Sequence, residues 1–262
     1  MFAKQLRQSV LLACALLLFI SSACASEKVV IYGDDDYEPY SYVEDGHFKG
    51  MYVDILREAA RMLAPTYQVD LQPIPWKRGL ADLERGTSFA LFPPGLKKER
   101  NYIQPYSVAI YRESIVLFCN DEVMKKPRKK FPEDFSGLNI GVNAGFLLSD
   151  RLMQASRQGI LTLAPVKGNE TNLKKLALHR IDCYASDRTA AMYSFKHLQP
   201  YFDDIGVSLQ EAVELSGEDT YIAYSDKSRA PYKSDFVAKM NVALETMKKN
   251  GDIKKIESRY VQ

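Results

Sequence analysis

The alternation of strand-like and helix-like segments constrains the fold of this chain more than any other feature of its sequence. Residues 28–32 and 69–74 read as short apolar strands, and residues 50–63 carry apolar side chains at helical spacing. A second helical segment ends at Gly86, and a long amphipathic one ends at Gly251. Because parallel strands need a crossover connection, usually a helix, this order predicts an α/β fold.

The N-terminal segment has the layout of a secretory signal peptide. Lys4 and Arg7 precede an apolar run over residues 10–20, and Ala23-Cys24-Ala25 fits cleavage between small residues. The run is shorter than the about 20 apolar residues that a transmembrane helix needs. We therefore expect residues 1–25 to be removed and the mature chain to begin at Ser26 in the periplasm. The alternative is a lipoprotein anchored through Cys24.

The charge balance of residues 26–262 argues against two classes of partner. The full chain has Lys+Arg 35 and Asp+Glu 33. The signal segment contains Lys4, Arg7 and no acidic residue, so 35 − 2 leaves 33 basic against 33 acidic residues. A neutral chain has no electrostatic attraction to nucleic acid or to an anionic membrane. His47, His179 and His197 are scattered and no Cys-x-x-Cys motif occurs, so we expect no metal and no cofactor.

Two cysteines remain in the mature chain, Cys119 and Cys183. An oxidising compartment and an even number of thiols allow a disulfide between them. Both lie in apolar, strand-like runs, where a free cysteine behaves as a small buried hydrophobe. The surrounding sequence favours two buried thiols over the disulfide.

Residues 86–120 contain the first candidate ligand residue. An apolar strand from Phe89 to Phe92 leads into Pro93-Pro94-Gly95, a charged segment that ends at Arg100, and a second apolar strand from Ser114 to Cys119. An arginine held between buried strands suits a carboxylate ligand, because its planar guanidinium presents two parallel donors. The alternative is that Arg100 is one more solvated charge beside Lys97 and Lys98.

This stretch resembles the family 3 extracellular solute-binding proteins, which are periplasmic receptors for amino acids and other small polar solutes. Glu99-Arg100 matches the family's Glu-Arg pair, and Tyr111-Arg-Glu-Ser matches the motif that opens its crossover strand. Residues 131–145 resemble the segment that begins the family's second lobe. The chain departs from the family at residues 93–95, where Pro-Pro-Gly replaces Ser and Thr donors, and at Phe146, which replaces Thr.

The resemblance implies a two-lobed periplasmic binding protein of type II with two crossover hinge strands. These strands are expected near residues 114–119 and 219–224. Lobe 1 would comprise residues 26–118 and 217–262, and lobe 2 would comprise residues 119–216. A ligand would bind between the lobes, at the carboxyl ends of the strands.

The resemblance also implies the positions of the ligand-binding residues. Asp34 and Tyr37 correspond to the acidic and aromatic positions of the first strand-to-helix loop. Asp187 corresponds to the acid that binds a ligand ammonium group, and it can also cap the helix that follows it. The free amides near Gly145 suit a ligand carboxylate. Trp76, at a strand-to-helix junction, is either a cleft wall or a core residue.

The implied function is binding of a small polar solute, such as an amino acid or a related compound, by a monomer that delivers it to an ABC permease. A membrane sensor is the alternative partner. A dehydratase-like enzyme with Glu99 or Asp187 as acid or base is the alternative activity, since the same fold supports catalysis elsewhere.

Overall fold

The computed structural model describes residues 26–144, 149–203 and 207–261, so the predicted signal segment lies outside the described residues. The strands are β1 (Glu27–Asp34), β2 (Asp36–Tyr37), β3 (Ser41–Glu44), β4 (His47–Lys49), β5 (Tyr67–Ile74), β6 (Ala90–Phe92), β7 (Ile103–Tyr106), β8 (Tyr111–Cys119), β9 (Asn139–Asn143), β10 (Thr162–Val166), β11 (Cys183–Asp187), β12 (Gln210–Thr220) and β13 (Ala223–Ser225). The helices are α1 (Met51–Met62), α2 (Trp76–Arg85), α3 (Asp121–Met124), α4 (Asp150–Arg157), α5 (Asn169–Ala177), α6 (Arg188–His197), α7 (Gln199–Asp203), α8 (Lys233–Asn250) and α9 (Asp252–Val261).

The first sheet has the strand order β5-β1-β6-β13-β7. Strand β1 runs parallel to β5 and β6, and β13 runs antiparallel to β6 and β7. Helix α1 lies between β1 and β5 in the chain and α2 lies between β5 and β6, as crossover connections between parallel strands require. The predicted alternation is therefore confirmed in this sheet.

The second sheet has the strand order β10-β9-β11-β8-β12. Strand β9 is parallel to β10 and β11, whereas β8 is antiparallel to β11 and β12. Successive side chains of β8 alternate between two apolar clusters, with Leu117 and Cys119 in one and Val116 and Phe118 in the other. This sheet is therefore covered on both faces along its inner strands.

The chain passes between the two sheets twice. It leaves β7 at Tyr106 and enters β8 at Tyr111, and it returns through residues 221–222 between β12 and β13. Strands β8 and β12 pair from Tyr111 with Thr220 to Cys119 with Gln210. We propose that the two connections, residues 107–110 and 221–222, form the hinge, which assigns β8 and the end of β12 to lobe 2 and not to lobe 1 as drawn from the sequence.

A small hairpin sheet, β2-β3-β4, projects between β1 and α1. Asp45 and Gly46, at the turn between β3 and β4, have φ angles of 52° and 75°. Two successive positive φ angles match the twist of paired strands, which is why Asp-Gly is favoured at such turns. Tyr37 lies in β2 of this small sheet, and Tyr40 lies between β2 and β3.

The core of the first lobe lies between its sheet and two helices. Val29 and Ile31 of β1 are fully buried, and α1 and α8 contribute Ile55, Phe236 and Met240 to the same cluster. Burying each side chain of this size contributes about 1.5–3 kcal/mol, so this packing fixes where the end of β1 and the following loop lie. Gly251 ends α8 in the left-handed conformation, as the sequence predicts.

Cys119 and Cys183 form a disulfide, which corrects the sequence-based expectation of two free thiols. The two residues face each other directly in the antiparallel pair of β8 and β11. Both side chains are buried, as the apolar runs predict. The sequence predicts that both cysteine side chains are buried. It does not predict the strand register that places the two sulfur atoms together.

The candidate ligand-binding cleft

A cavity of about 770 Å³ lies between the two lobes. Its walls come from the loop after β1, from the hinge strands β8 and β12, from β9 and from the junction of β11 with α6. Five carboxyl side chains line it: Asp36, Glu38, Glu113, Asp187 and Glu218. A concave site at the ends of β-strands with several acidic groups suits a small polar ligand that carries positive charge.

Asp187 ends β11 and caps α6. Its Oδ1 atom accepts a hydrogen bond of 2.8 Å from the backbone N–H of Ala190 and one of 2.6 Å from the hydroxyl of Tyr40. Its Oδ2 atom is buried and has no hydrogen bond of good geometry among the described residues, although the backbone N–H of Ser114 lies near enough to favour the ionised carboxyl. Burial raises the pKa of the Asp187 carboxyl. An unpaired buried carboxylate oxygen is costly, so a donor from a ligand would stabilise it.

Glu113, on β8, is a cleft residue that the sequence analysis did not select. Its Oε2 atom accepts a hydrogen bond of 2.7 Å from Tyr37, and its Oε1 atom accepts one of 2.5 Å from Tyr52. Burial, and secondly the charge of Asp187, raise the pKa of Glu113 to about 7. The available signal was an acidic residue in line with the apolar side chains of a buried strand.

Three tyrosines connect the lobes around these acids. The ring centroids of Tyr37 and Tyr40 lie 5.0 Å apart, and those of Tyr40 and Tyr52 lie 4.9 Å apart. Because their hydroxyls bind Asp187 and Glu113, the aromatic cluster of the first lobe is joined to two strands of the second sheet. Tyr37 lines the cavity, and its contact with a ligand stays a prediction.

Known proteins resemble this chain over nearly its whole length. The sequence profile of the bacterial extracellular solute-binding proteins, family 3, matches residues 29–262. This chain belongs to that family. A Bacillus subtilis (strain 168) relative, named "Probable amino-acid-binding protein YxeM", is 22% identical over 274 aligned residues that cover 98% of this chain and 96% of the relative.

Two solved structures share the fold. The second substrate-binding domain of Lactococcus lactis GlnP, in an open conformation, has a TM-score of 0.71 at 16% identity, with 90% of this chain and 96% of that domain covered. The unliganded, open L-cystine receptor of Neisseria gonorrhoeae has a TM-score of 0.67 at 18% identity, with 90% and 93% covered. The family member described here is therefore a two-lobed α/β solute-binding protein, as the sequence predicts.

Arg100 and Trp76 lie together, outside the residues that line the cavity. The guanidinium of Arg100 donates a hydrogen bond of 3.0 Å to the carbonyl of Gly95 and lies 5.7 Å from the centre of the Trp76 ring. Trp76 also packs against the apolar cluster around Leu83 and Leu91. A carboxylate-binding role for Arg100 stays a prediction.

Gly95 connects this pair to the cleft wall. A Cβ atom at Gly95 would lie 2.0 Å from Oε1 of Glu218, a cavity-lining residue, so glycine allows this close approach. Arg100 therefore supports the loop that packs against the cleft, one contact removed from the cavity.

Two other sequence-based site residues have different outcomes. Asp34, at the end of β1, accepts a hydrogen bond of 3.3 Å from the N–H of Asp36. Burial raises the pKa of the Asp34 carboxyl. Asp34 does not line the cavity, whereas Asp36 and Glu38 do. Gly145 and Phe146 lie outside the described residues.

Within the described residues, no group of three or more His, Cys, Asp or Glu side chains is placed to hold a metal ion.

Proposed function

We propose that this protein is a periplasmic receptor that binds a small polar solute through an ammonium group, such as an amino acid or a related amine. The observation that carries the proposal is the unpaired Oδ2 atom of Asp187, buried in the wall of the cleft between the lobes. A charge-assisted hydrogen bond to an ionised group contributes about 1.5–3 kcal/mol. Relatives described as amino-acid-binding support this class of ligand.

Ligand binding would shift the balance between open and closed arrangements of the lobes. A ligand in the cleft contacts residues from both lobes, and only an arrangement that brings both sets of contacts together gains the full binding energy. The two hinge connections are the covalent links about which the lobes would move. The closed, ligand-loaded form would then be recognised by an ABC permease.

Two further points support export and delivery to a transporter. The first is the family, whose members are extracellular solute-binding proteins. The second is the signal-like layout of residues 1–25, which lie outside the described residues. In the described part of the chain, we find no helix with the length and hydropathy that crossing a membrane requires. A membrane sensor remains the alternative recipient of the closed form.

The test is isothermal titration calorimetry with a panel of amino acids, amines and organic acids, followed by the Asp187→Asn variant. Asparagine caps a helix about as well as aspartate, so the fold of α6 is preserved while the charge is lost. We expect affinity to fall about 10- to 100-fold. Asp226→Asn, at an exposed residue outside the cavity lining, is the matched control. Unchanged affinity in Asp187→Asn would contradict the proposal.

One observation favours a second candidate function, a dehydratase-like enzyme. Glu113 titrates near neutral pH in a cleft, as a general acid or base does. Of the two acids proposed from the sequence, Asp187 lines the cavity, whereas Glu99 is exposed and does not. Incubation with prephenate-like acids, monitored by ultraviolet absorbance, tests this candidate. Turnover that is lost in Glu113→Gln would support an enzyme, and recovery of every compound unchanged would support a receptor.

A further inference from the structure

We propose that Glu113 binds a second ammonium group, so that the cleft selects an α,ω-diamine. This inference rests on the proposed function, because the first ammonium group is the one assigned to Asp187. It adds a specificity-determining residue on the hinge strand and a ligand class with an amine at each end.

The register of the second sheet places three carboxyl groups side by side. Glu113 on β8 lies directly opposite Glu218 on β12, and Asp187 on β11 lies opposite Ile115 on β8. Side chains alternate along a strand, so residues 113, 115 and 187 share one face of the sheet. Like charges directly opposite each other are destabilising, and a cation between them relieves the repulsion.

The two poles are far enough apart for two ammonium groups. Asp187 and Glu113 are diagonal neighbours on adjacent strands, since Asp187 is paired with the residue two positions along from Glu113. The Cα atoms of such diagonal neighbours lie about 7–8 Å apart, and different phenols hold the two carboxyl groups, Tyr40 for Asp187 and Tyr37 with Tyr52 for Glu113. A short methylene chain between two ammonium groups spans such a distance.

Glu113 is held in place before any ligand arrives. Both carboxylate oxygens accept from phenols, and Tyr52 in turn accepts a hydrogen bond of 2.8 Å from Thr220. A carboxylate fixed by its partners loses little side-chain entropy when a cation binds. The rings of Tyr37 and Tyr40 supply apolar surface for methylene groups and aromatic faces that attract an ammonium ion.

The charge around the two poles favours an amine over a carboxylate at each end. Glu218 adjoins Glu113, and Asp36 and Glu38 add two more carboxyl groups to the described lining. A ligand carboxylate beside these groups would be repelled. An α,ω-diamine avoids this repulsion, whereas a diamino acid brings a carboxylate into the same cleft.

The experiment compares three probes by calorimetry: 1,4-diaminobutane, butylamine and L-ornithine. We expect 1,4-diaminobutane to bind about 10- to 100-fold more tightly than butylamine, and more tightly than L-ornithine. In Glu113→Gln this preference over butylamine should disappear, because the affinity for 1,4-diaminobutane falls much more than the affinity for butylamine. Glu245→Gln, on the surface of α8, is the matched control and should bind as the unaltered protein does.

The pH dependence gives a readout that a purely structural role would not move. The groups that face the Glu113 carboxyl are Tyr37, Tyr52, Asp187 and Glu218. Because a diamine binds the ionised carboxylate and the pKa of Glu113 is about 7, affinity should rise roughly tenfold between pH 6 and pH 8. In Glu113→Gln, the affinity for the diamine should not change over this pH range.

A second variant keeps the test decisive if Glu113→Gln does not fold. Tyr37→Phe retains the ring and removes one donor to the ionised carboxylate, so the midpoint of the pH profile should move to higher pH. An unmoved midpoint would overturn the inference.

The failures of the two proposals are distinguishable. Glu113 is wrongly assigned if butylamine or an amino acid binds in an Asp187-dependent manner while Glu113→Gln leaves all three affinities unchanged. Tighter binding of L-ornithine than of 1,4-diaminobutane would overturn the choice of a diamine. If Asp187→Asn leaves every affinity unchanged, the proposed function itself fails.

Discussion

At the scale of single residues, Asp187 and Glu113 show how burial and hydrogen bonding act on one chemical group in opposite directions. Burial raises the pKa of each carboxyl, while the hydroxyl donors Tyr40, Tyr37 and Tyr52 favour the ionised forms. Burial is the larger effect for both residues. A bound cation would favour the ionised form of each carboxyl and so lower its pKa.

This balance predicts how stability depends on pH. The folded-state pKa of Glu113, about 7, lies above its unfolded value, so the folded protein binds more protons than the unfolded chain between these two pKa values. The contribution of Glu113 to the free energy of unfolding is therefore present below the unfolded pKa and is lost as pH rises through about 7. We expect Glu113→Gln to flatten this part of the profile, measured by urea unfolding at a series of pH values with ligand absent.

The matched control for that profile is Glu245→Gln, which alters an exposed carboxylate paired with Lys248 on the surface of α8. It should leave the pH dependence as it is in the unaltered protein. A slope between about pH 5 and pH 7 that survives in Glu113→Gln would show that another group causes it.

Arg100 gives the second prediction at this scale. The sequence suggests a clear loss of affinity on Arg100→Lys, because lysine lacks the bidentate fork. The guanidinium instead contacts Gly95 and Trp76 outside the cavity lining, so we expect Arg100→Lys to leave amine affinity within about twofold and to lower thermal stability slightly. Calorimetry and thermal unfolding measure the two effects, with Lys97→Ala as the exposed control. A tenfold loss of affinity would restore the carboxylate-binding role.

At the scale of helices and strands, the sequence predicts local features better than it predicts pairings between distant segments. The strand β1, the helix α8 with its Gly251 stop, and the cap of α6 by Asp187 are local features, and the structure confirms them. The partners of Glu113 come from 76 and 61 residues away in sequence, and Cys119 and Cys183 are 64 residues apart. Periodicity carries no information on such pairings, so the phenol–carboxylate cluster and the disulfide emerged only from the register of the sheet.

The disulfide yields a prediction for the paired strands β8 and β11. Closing a loop with a sequence separation of 64 restricts the unfolded chain and stabilises the fold by roughly 4 kcal/mol on the chain-entropy account. Adding a reductant should therefore lower the free energy of unfolding, measured by guanidinium denaturation, by roughly 2–4 kcal/mol.

The control for the disulfide is the double variant Cys119→Ala, Cys183→Ala. It should be less stable than the oxidised protein and should show no response to the reductant. A midpoint of denaturation that is the same with and without reductant in the unaltered protein would contradict a stabilising bond.

At the scale of the whole molecule, the lobes touch on one side of the cleft through more than the tyrosine cluster. Helix α9 packs against α1 of the first lobe and α6 of the second. The Nζ atom of Lys196 in α6 donates to the backbone carbonyl of Arg259 in α9 across the lobes, while the hydroxyl of Tyr260 donates to Asp54 within the first lobe. A hinge motion would have to rearrange the contact between α6 and α9 along with the cleft.

Lobe closure gives the last prediction. A ligand that joins Asp187 and Glu113 of the second sheet to the aromatic cluster of the first lobe gains its full contacts only in the closed arrangement. We expect small-angle X-ray scattering to show a smaller radius of gyration with saturating 1,4-diaminobutane, or with the tightest compound of the panel, than without it. Asp187→Asn at the same ligand concentration should keep the larger radius, because weaker binding leaves the open arrangement populated. If calorimetry shows saturated binding and the scattering curves are identical, the hinge connections at residues 107–110 and 221–222 do not move. A transporter would then have to recognise the loaded receptor by some feature other than closure.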